Sequence, residues 1–238
     1  MPSLNKIKQY VENSYYHLYN RGVNRQNIFF DKSDYVMFIQ FLKLYLSDPT
    51  EVNEYFKSLK LPVLPHIENF NKQLTIISFC LMPNHFHILV KQKNAKTITH
   101  FMRSFVTKYV LYANKKYNRV GSLFQGAYKG VLITHDYYIL HLSRYIHLNP
   151  SELNPKDVPS EKPWSTYKDY PYSSYSWYLR DTITEWFNPT IVLDFFNRRN
   201  VLTPKNSPSY RSFVEDYQEA LPEDLNHQLG FVARSIGR

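Results

Sequence analysis

Leu74-Thr75-Ile76-Ile77-Ser78-Phe79-Cys80-Leu81-Met82 and His85-Phe86-His87-Ile88-Leu89-Val90-Lys91, joined by Pro83-Asn84, read as the two strands of a hairpin. Apolar and β-branched residues favour the strands, and the Pro-Asn connection suits a tight turn. Side chains alternate across a strand at ~3.3 Å per residue, so His85 and His87 stand on one face while Phe86 and Ile88 point into a core. Two neutral imidazoles ~7 Å apart at Cβ can converge on one divalent ion.

Upstream of the hairpin, Tyr15-Tyr16-His17-Leu18-Tyr19-Asn20 reads as a strand, ended by the turn-forming Asn20-Arg21-Gly22. With Ser33 as N-cap, Tyr35, Phe38, Phe41, Leu42 and Tyr45 recur at three and four and predict a helix to about Ser47. Residues 48–73 read as an insertion, with a short helix at Glu51–Leu59 followed by the helix breakers Pro62 and Pro65.

Downstream, Ile98, Phe101, Met102, Phe105, Val106, Tyr109, Tyr112 and Ala113 form the apolar stripe of the longest helix. A glycine-bounded turn at Gly121–Gly126, a strand from about Ala127 to Thr134 and a helix from Asp136, stopped by Pro150, complete the core. The first six elements, strand-helix-strand-strand-helix-strand, predict an α+β, ferredoxin-like antiparallel four-stranded sheet with two helices on one face. The seventh is an added helix. Residues 1–153 are expected to form one domain and residues 154–238, rich in Pro, Ser and Tyr, a mostly helical or irregular extension with a helix at Ile191–Phe196.

Composition narrows the function classes. A chain of 238 residues with a formal charge of +9 favours a polyanionic partner, nucleic acid first, because Lys and Arg that neutralise phosphates release counterions. Many of the 21 Tyr and 16 Phe must be core, but some can stack unpaired bases. Arg21, Arg25, Arg103, Lys108, Lys115, Lys116 and Lys129 are candidate phosphate contacts. Cys80, the single cysteine, has no partner within the chain and reads as packing in a reducing compartment. No run reaches the ~18 apolar residues of a membrane span, and Met1-Pro2-Ser3-Leu4-Asn5-Lys6 lacks a signal peptide's apolar stretch. A cytoplasmic, nucleoid-associated protein is expected.

On the seventh element, Tyr138, His141, Tyr145 and Asn149 fall within one ~80° sector, while Ile139, Leu142 and Ile146 occupy the neighbouring one. Tyr145 therefore stands at the edge of the buried face, and His147 lies ~160° away from it. Asn149, one turn on, can offer an amide oxygen to a metal held by the two histidines, or hydrogen-bond a phosphate. This set suits attack of a tyrosine oxygen on a phosphodiester. A phenol with an ordinary pKa of ~10 is a weak nucleophile, and Mg²⁺ or Mn²⁺ on the imidazoles would assist by polarising the phosphate. No GxxxxGK phosphate loop is present, consistent with strand rejoining that needs no nucleotide.

Four ordered blocks, Tyr16-His17-Leu18-Tyr19-Asn20-Arg21-Gly22, Met82-Pro83-Asn84-His85-Phe86-His87, Leu123-Phe124-Gln125-Gly126-Ala127-Tyr128-Lys129 and Tyr145-Ile146-His147-Leu148-Asn149-Pro150, resemble those of the bacterial REP-associated tyrosine transposases. These belong to the single-tyrosine transposases named for a His-hydrophobic-His motif. Tyr170-Pro171-Tyr172-Ser173-Ser174-Tyr175 is similar to that family's aromatic-Ser-Ser-Tyr segment. The resemblance implies metal-dependent cleavage of single-stranded DNA at hairpins of repeated extragenic palindromes, through a 5′-phosphotyrosine with a free 3′-hydroxyl. It implies His85 and His87 as metal ligands and Tyr145 as nucleophile. Asn149 stands where related insertion-sequence transposases carry a metal-binding glutamine. A second copy of the chain is a candidate partner, since family members work as monomers or dimers. Two other classes fit the residues: a non-catalytic single-stranded nucleic-acid-binding sheet, and a zinc hydrolase using His85, His87 and a third ligand.

Overall fold

The computed structural model describes residues 10–58, 68–197 and 207–216. Its centre is an antiparallel sheet of β1 (Tyr15–Arg21), β2 (Leu74–Met82), β3 (His85–Gln92) and β4 (Lys129–Ile133) in the order β2-β3-β1-β4. This is the ferredoxin-like α+β arrangement. Alternation along β1 and β3 divides their side chains. Tyr16, Leu18, Phe86, Ile88 and Val90 share one face, while His17, Tyr19, His85, His87 and Leu89 share the other.

The first face is covered by α1 (Lys32–Leu46) and α3 (Thr97–Lys116), whose buried stripes meet over the sheet. Phe38 packs on Phe86 and edge-on to Phe105, at centroid distances of 5.3 and 4.7 Å. The N-cap of α1 is Asp31 rather than Ser33. Its carboxylate accepts from the backbone of Ser33 and Asp34, and Asp34 returns its own carboxylate to the Asp31 N–H, closing a capping box. Between these helices, α2 (Pro49–Ser58) is the described part of the short helix expected there; Leu59, Pro62 and Pro65 lie outside the described residues.

The opposite face carries α4 (Asp136–Leu148), seated through Ile139, Leu142 and Ile146. Burying each of these side chains contributes about 1.5–3 kcal/mol. The chain then tightens into a 3-10 turn over Asn149–Glu152, so the helix ends one residue before Asn149. β4 is shorter than the sequence suggests, because the chain ahead of it leaves the ladder. Asn20 Nδ2 donates to the Gly126 carbonyl, and the Gln125 N–H donates to the Arg21 carbonyl, so residues 125–126 brace β1 without extending the strand.

The described residues beyond 153 share this core. β2 is an edge strand, and the tail covers that edge: Leu81 N–H donates to Tyr172, Ser174 N–H to Phe79, Ile76 N–H to Trp186 and Asn188 N–H to Ile76. A bulge at Ile77 turns its carbonyl to the Tyr178 hydroxyl at 3.0 Å. The short helices α5 (Tyr175–Tyr178), α6 (Thr190–Asn197) and α7 (Tyr210–Glu215) then close over α4. Cys80 is buried, 3.7 Å from the Met82 sulfur, and acts as packing. Among the described residues no helix is long and apolar enough to cross a membrane.

Candidate functional site

Strand pairing fixes the histidines. His87 lies opposite Tyr19 on β1 and Cys80 on β2, and His85 lies opposite Arg21 and Met82. Both rings stand on the α4 face, with centroids 5.0 Å apart and planes nearly perpendicular at 84°. Neither is on a wet surface: His85 is 7% exposed and His87 is fully buried beneath α4. The Tyr145 ring reaches this pair from the helix, edge-on to His87 at 5.6 Å and to His17 at 6.4 Å. Asn149 is buried one turn on, and its Nδ2 donates to the Tyr145 carbonyl at 2.8 Å, so its amide oxygen is the acceptor atom that a cation could use.

Two further residues, which the sequence did not single out, complete the histidine environment. Asn84, in the hairpin turn, donates through Nδ2 to the Arg25 carbonyl at 3.2 Å and receives His85 Nδ1 at Oδ1, 2.6 Å away. A carbonyl only accepts, so the amide orientation is fixed by Arg25; an amide oxygen only accepts, so His85 must donate from Nδ1. The neutral His85 ring therefore keeps its lone pair on Nε2. Asn24 and Arg25 hold left-handed backbone, φ 51° and 60°, at about 1 kcal/mol or more each, and the turn they make presents that carbonyl. Gly22 is required at the start of this turn, because any Cβ would run into the Gln26 carbonyl oxygen.

His17 is the second addition. It is buried on β1, meets His87 edge to edge with the ring planes 27° apart and centroids 5.0 Å apart, and its Nε2 lies 2.9 Å from His87 Nδ1.

The polar stripe of α4 divides. Tyr145 faces the histidines, whereas His141 turns to Tyr137 and to Phe213 of α7. His147 points away from Tyr145, to the hydroxyls of Tyr210 and Ser174 at 2.7 and 2.8 Å.

The candidate phosphate contacts also divide. Lys129, paired with Tyr19, shares the histidine face; Arg25 is exposed beside Asn84; Arg21 is buried with its guanidinium on Gln125. Arg103, Lys108, Lys115 and Lys116 belong to α3, across the sheet from His85 and His87. Lys116 is further committed to Asp31 and Asp34 at 2.7 and 2.8 Å.

Burial pushes the imidazoles of both His17 and His147 down to about 3. The unfolded chain takes up a proton at each near pH 6.5, and the folded chain resists it. Their contribution is therefore complete above pH ~6.5 and is lost on acidification toward 3, by about 2 kcal/mol per histidine at pH 5. Urea unfolding at pH 7.5 and 5.0 should show this loss in a window above the range where carboxylates titrate. Equal stability at the two pH values would contradict neutral burial.

The donor set offers two imidazole nitrogens and one amide oxygen. This mixture fits a divalent ion that accepts both nitrogen and oxygen. No group of three His, Cys, Asp or Glu able to hold a metal occurs among the described residues.

The site thus combines a His-hydrophobic-His strand with a helix-borne tyrosine on a ferredoxin-like sheet. Residues 62–149 match the family described as transposase IS200-like. The chain is similar to the REP-associated tyrosine transposase solved bound to a REP hairpin, at 12% identity over 76% of this chain and 89% of that one, with a TM-score of 0.48. It is also similar to a protein assigned as a transposase from Deinococcus radiodurans R1, at 15% identity over 60% of this chain and 95% of that one, with a TM-score of 0.35. No curated protein sequence matches the chain.

Proposed function

We propose that this protein is a metal-dependent transposase that cleaves and rejoins single-stranded or hairpin DNA, with Tyr145 as nucleophile. The observation that carries this reading is the Tyr145 ring 5.6 Å from His87, within one chain, on the face where His85 and His87 stand together. Tyr145 Oη attacks the scissile phosphorus and forms the O–P bond as the P–O3′ bond breaks. The phenol gives up its proton, the departing 3′ oxygen gains one, and the 5′ phosphate stays on Tyr145. Because one phosphodiester is exchanged for another, the reverse attack by a 3′-hydroxyl rejoins a strand.

In this proposal His85 and His87 would hold Mg²⁺ or Mn²⁺, with the Asn149 amide oxygen as a third protein donor. When bound, the ion polarises a non-bridging phosphate oxygen and orients the scissile bond. The α4 helix and the tail over it keep Tyr145 at the metal ligands of its own chain, so the site does not require a second copy. Arg25 and Lys129, on the histidine side, are the nearest candidates for flanking phosphates; the α3 cations would serve a strand that passes to the other face.

Affinity tests the DNA arm. With +9 formal charge, binding of a hairpin oligonucleotide in EDTA should fall about 10³-fold or more between roughly 50 and 200 mM salt if six or more phosphates are neutralised. Fluorescence anisotropy against salt measures this directly, and a flat response would remove the phosphate contacts from the account.

A further inference from the structure

We propose that His17 is a positioning residue for His87: its Nε2 accepts the Nδ1 proton of His87 and holds that ring in the tautomer whose Nε2 carries the lone pair. The inference rests on the metal-binding reading of His87 above and deepens it.

Two histidine nitrogens 2.9 Å apart, in a buried place that favours neutral rings, form a hydrogen bond in which one ring donates and the other accepts. The bond has two possible polarities with opposite consequences. If His17 donated, His87 would accept at Nδ1, its own proton would sit on Nε2, and that nitrogen could not ligate a cation. If His87 donates, its Nε2 is a donor to metal. His85 supplies the precedent within the same site, since its Nδ1 donates to Asn84 Oδ1 and its lone pair lies on Nε2. With His87 donating to His17, both members of the pair present the same ring nitrogen. Metal-bound histidines commonly donate their second ring N–H to a fixed acceptor that sets tautomer and orientation, and loss of that acceptor typically weakens metal affinity by about 10–100-fold.

The position of His17 supports this role. It lies on β1 in the centre of the sheet, under Tyr145 at 6.4 Å and nearly coplanar with His87, nitrogen edge to nitrogen edge, where an apolar residue would pack without the cost of burying an imidazole. A histidine here also differs from a carboxylate acceptor. It orients His87 without adding negative charge to a site that must receive a phosphodiester.

The tautomer can be read from the wild-type protein. Two-bond ¹⁵N–¹H spectra of ring-labelled, metal-free protein at pH 7.5 should show His87 protonated on Nδ1, as should His85. Protonation of His87 on Nε2 would overturn the proposal, and this measurement needs no variant. His17→Phe, which keeps a ring but removes the acceptor, should abolish the fixed Nδ1–H signature of His87. The same variant should bind Mn²⁺ about 10–100-fold more weakly by calorimetry without DNA, with hairpin affinity in EDTA within about twofold of wild type.

His87→Ala separates the two layers. If His87→Ala loses Mn²⁺ binding while His17→Phe binds as wild type, His17 has no positioning role and the metal site stands. If wild type binds no Mn²⁺, or His87→Ala binds it equally well, the metal-binding reading itself fails.

Discussion

Replacing Tyr145 by Phe is expected to lower strand cleavage by more than about 10⁴-fold, because no other group can take over a nucleophile that becomes covalently bonded. The substitution removes one oxygen and keeps the ring that packs edge-on to His87 and His17. Folding should therefore be nearly unchanged, and hairpin affinity should stay within a few fold. Cleavage and covalent adduct should disappear together, measured with an end-labelled hairpin oligonucleotide on denaturing gels. Retention of cleavage would make Tyr145 a packing residue. Loss of cleavage with equal loss of binding would instead point to a role in holding DNA.

His85→Ala and His87→Ala should each reduce cleavage by at least about 10³-fold, since two imidazoles are the only nitrogen donors proposed for the ion and neither alone makes a site. The two substitutions should differ in stability. His87 is fully buried between Cys80 and Tyr19 and is bonded to His17, so its truncation leaves a cavity and strands a buried partner. His85 is at the open end of the pair and is bonded to Asn84 in the turn, so it should be replaced at smaller cost. Mn²⁺ should support at least as much activity as Mg²⁺, because imidazole is a poor ligand for the harder ion. Cleavage that persists undiminished in EDTA would remove the metal from the mechanism.

Much of this arrangement was legible in the sequence because it depends on short-range pattern. Alternation along His85-Phe86-His87-Ile88 and the Pro83-Asn84 turn defined the hairpin and its faces, and the spacing of Ile139, Leu142 and Ile146 defined the seat of α4. His17 could have been found by the same logic. Leu18 must enter the core, so His17 faces the other way, and the ferredoxin-like order puts β1 beside β3. What the sequence could not supply was the register, since a slip of one residue would exchange the faces.

Other features depend on partners far along the chain. His141 shares a helical sector with Tyr145, yet Phe213 claims it, and His147 is claimed by Tyr210 and Ser174. Helical spacing gives an angle around an axis; it does not say which neighbour fills each sector. The tail along β2 was hidden for a related reason. Its contacts with Phe79, Leu81 and Ile76 run mainly through the backbone, so they leave little side-chain pattern to read. The basic residues of α3 formed one set by composition and helix position, but the sheet stands between them and the histidines.

The most direct test of the central claim is to identify the residue that carries DNA. Wild-type protein would be incubated with a labelled single-stranded hairpin and Mn²⁺, the denaturant-resistant adduct isolated, and its peptides mapped. The account predicts a 5′-phosphonucleotide on Tyr145 and a free 3′-hydroxyl on the released strand. An adduct on Tyr137, Tyr138 or any other residue, or a 3′-linked phosphate, would contradict it.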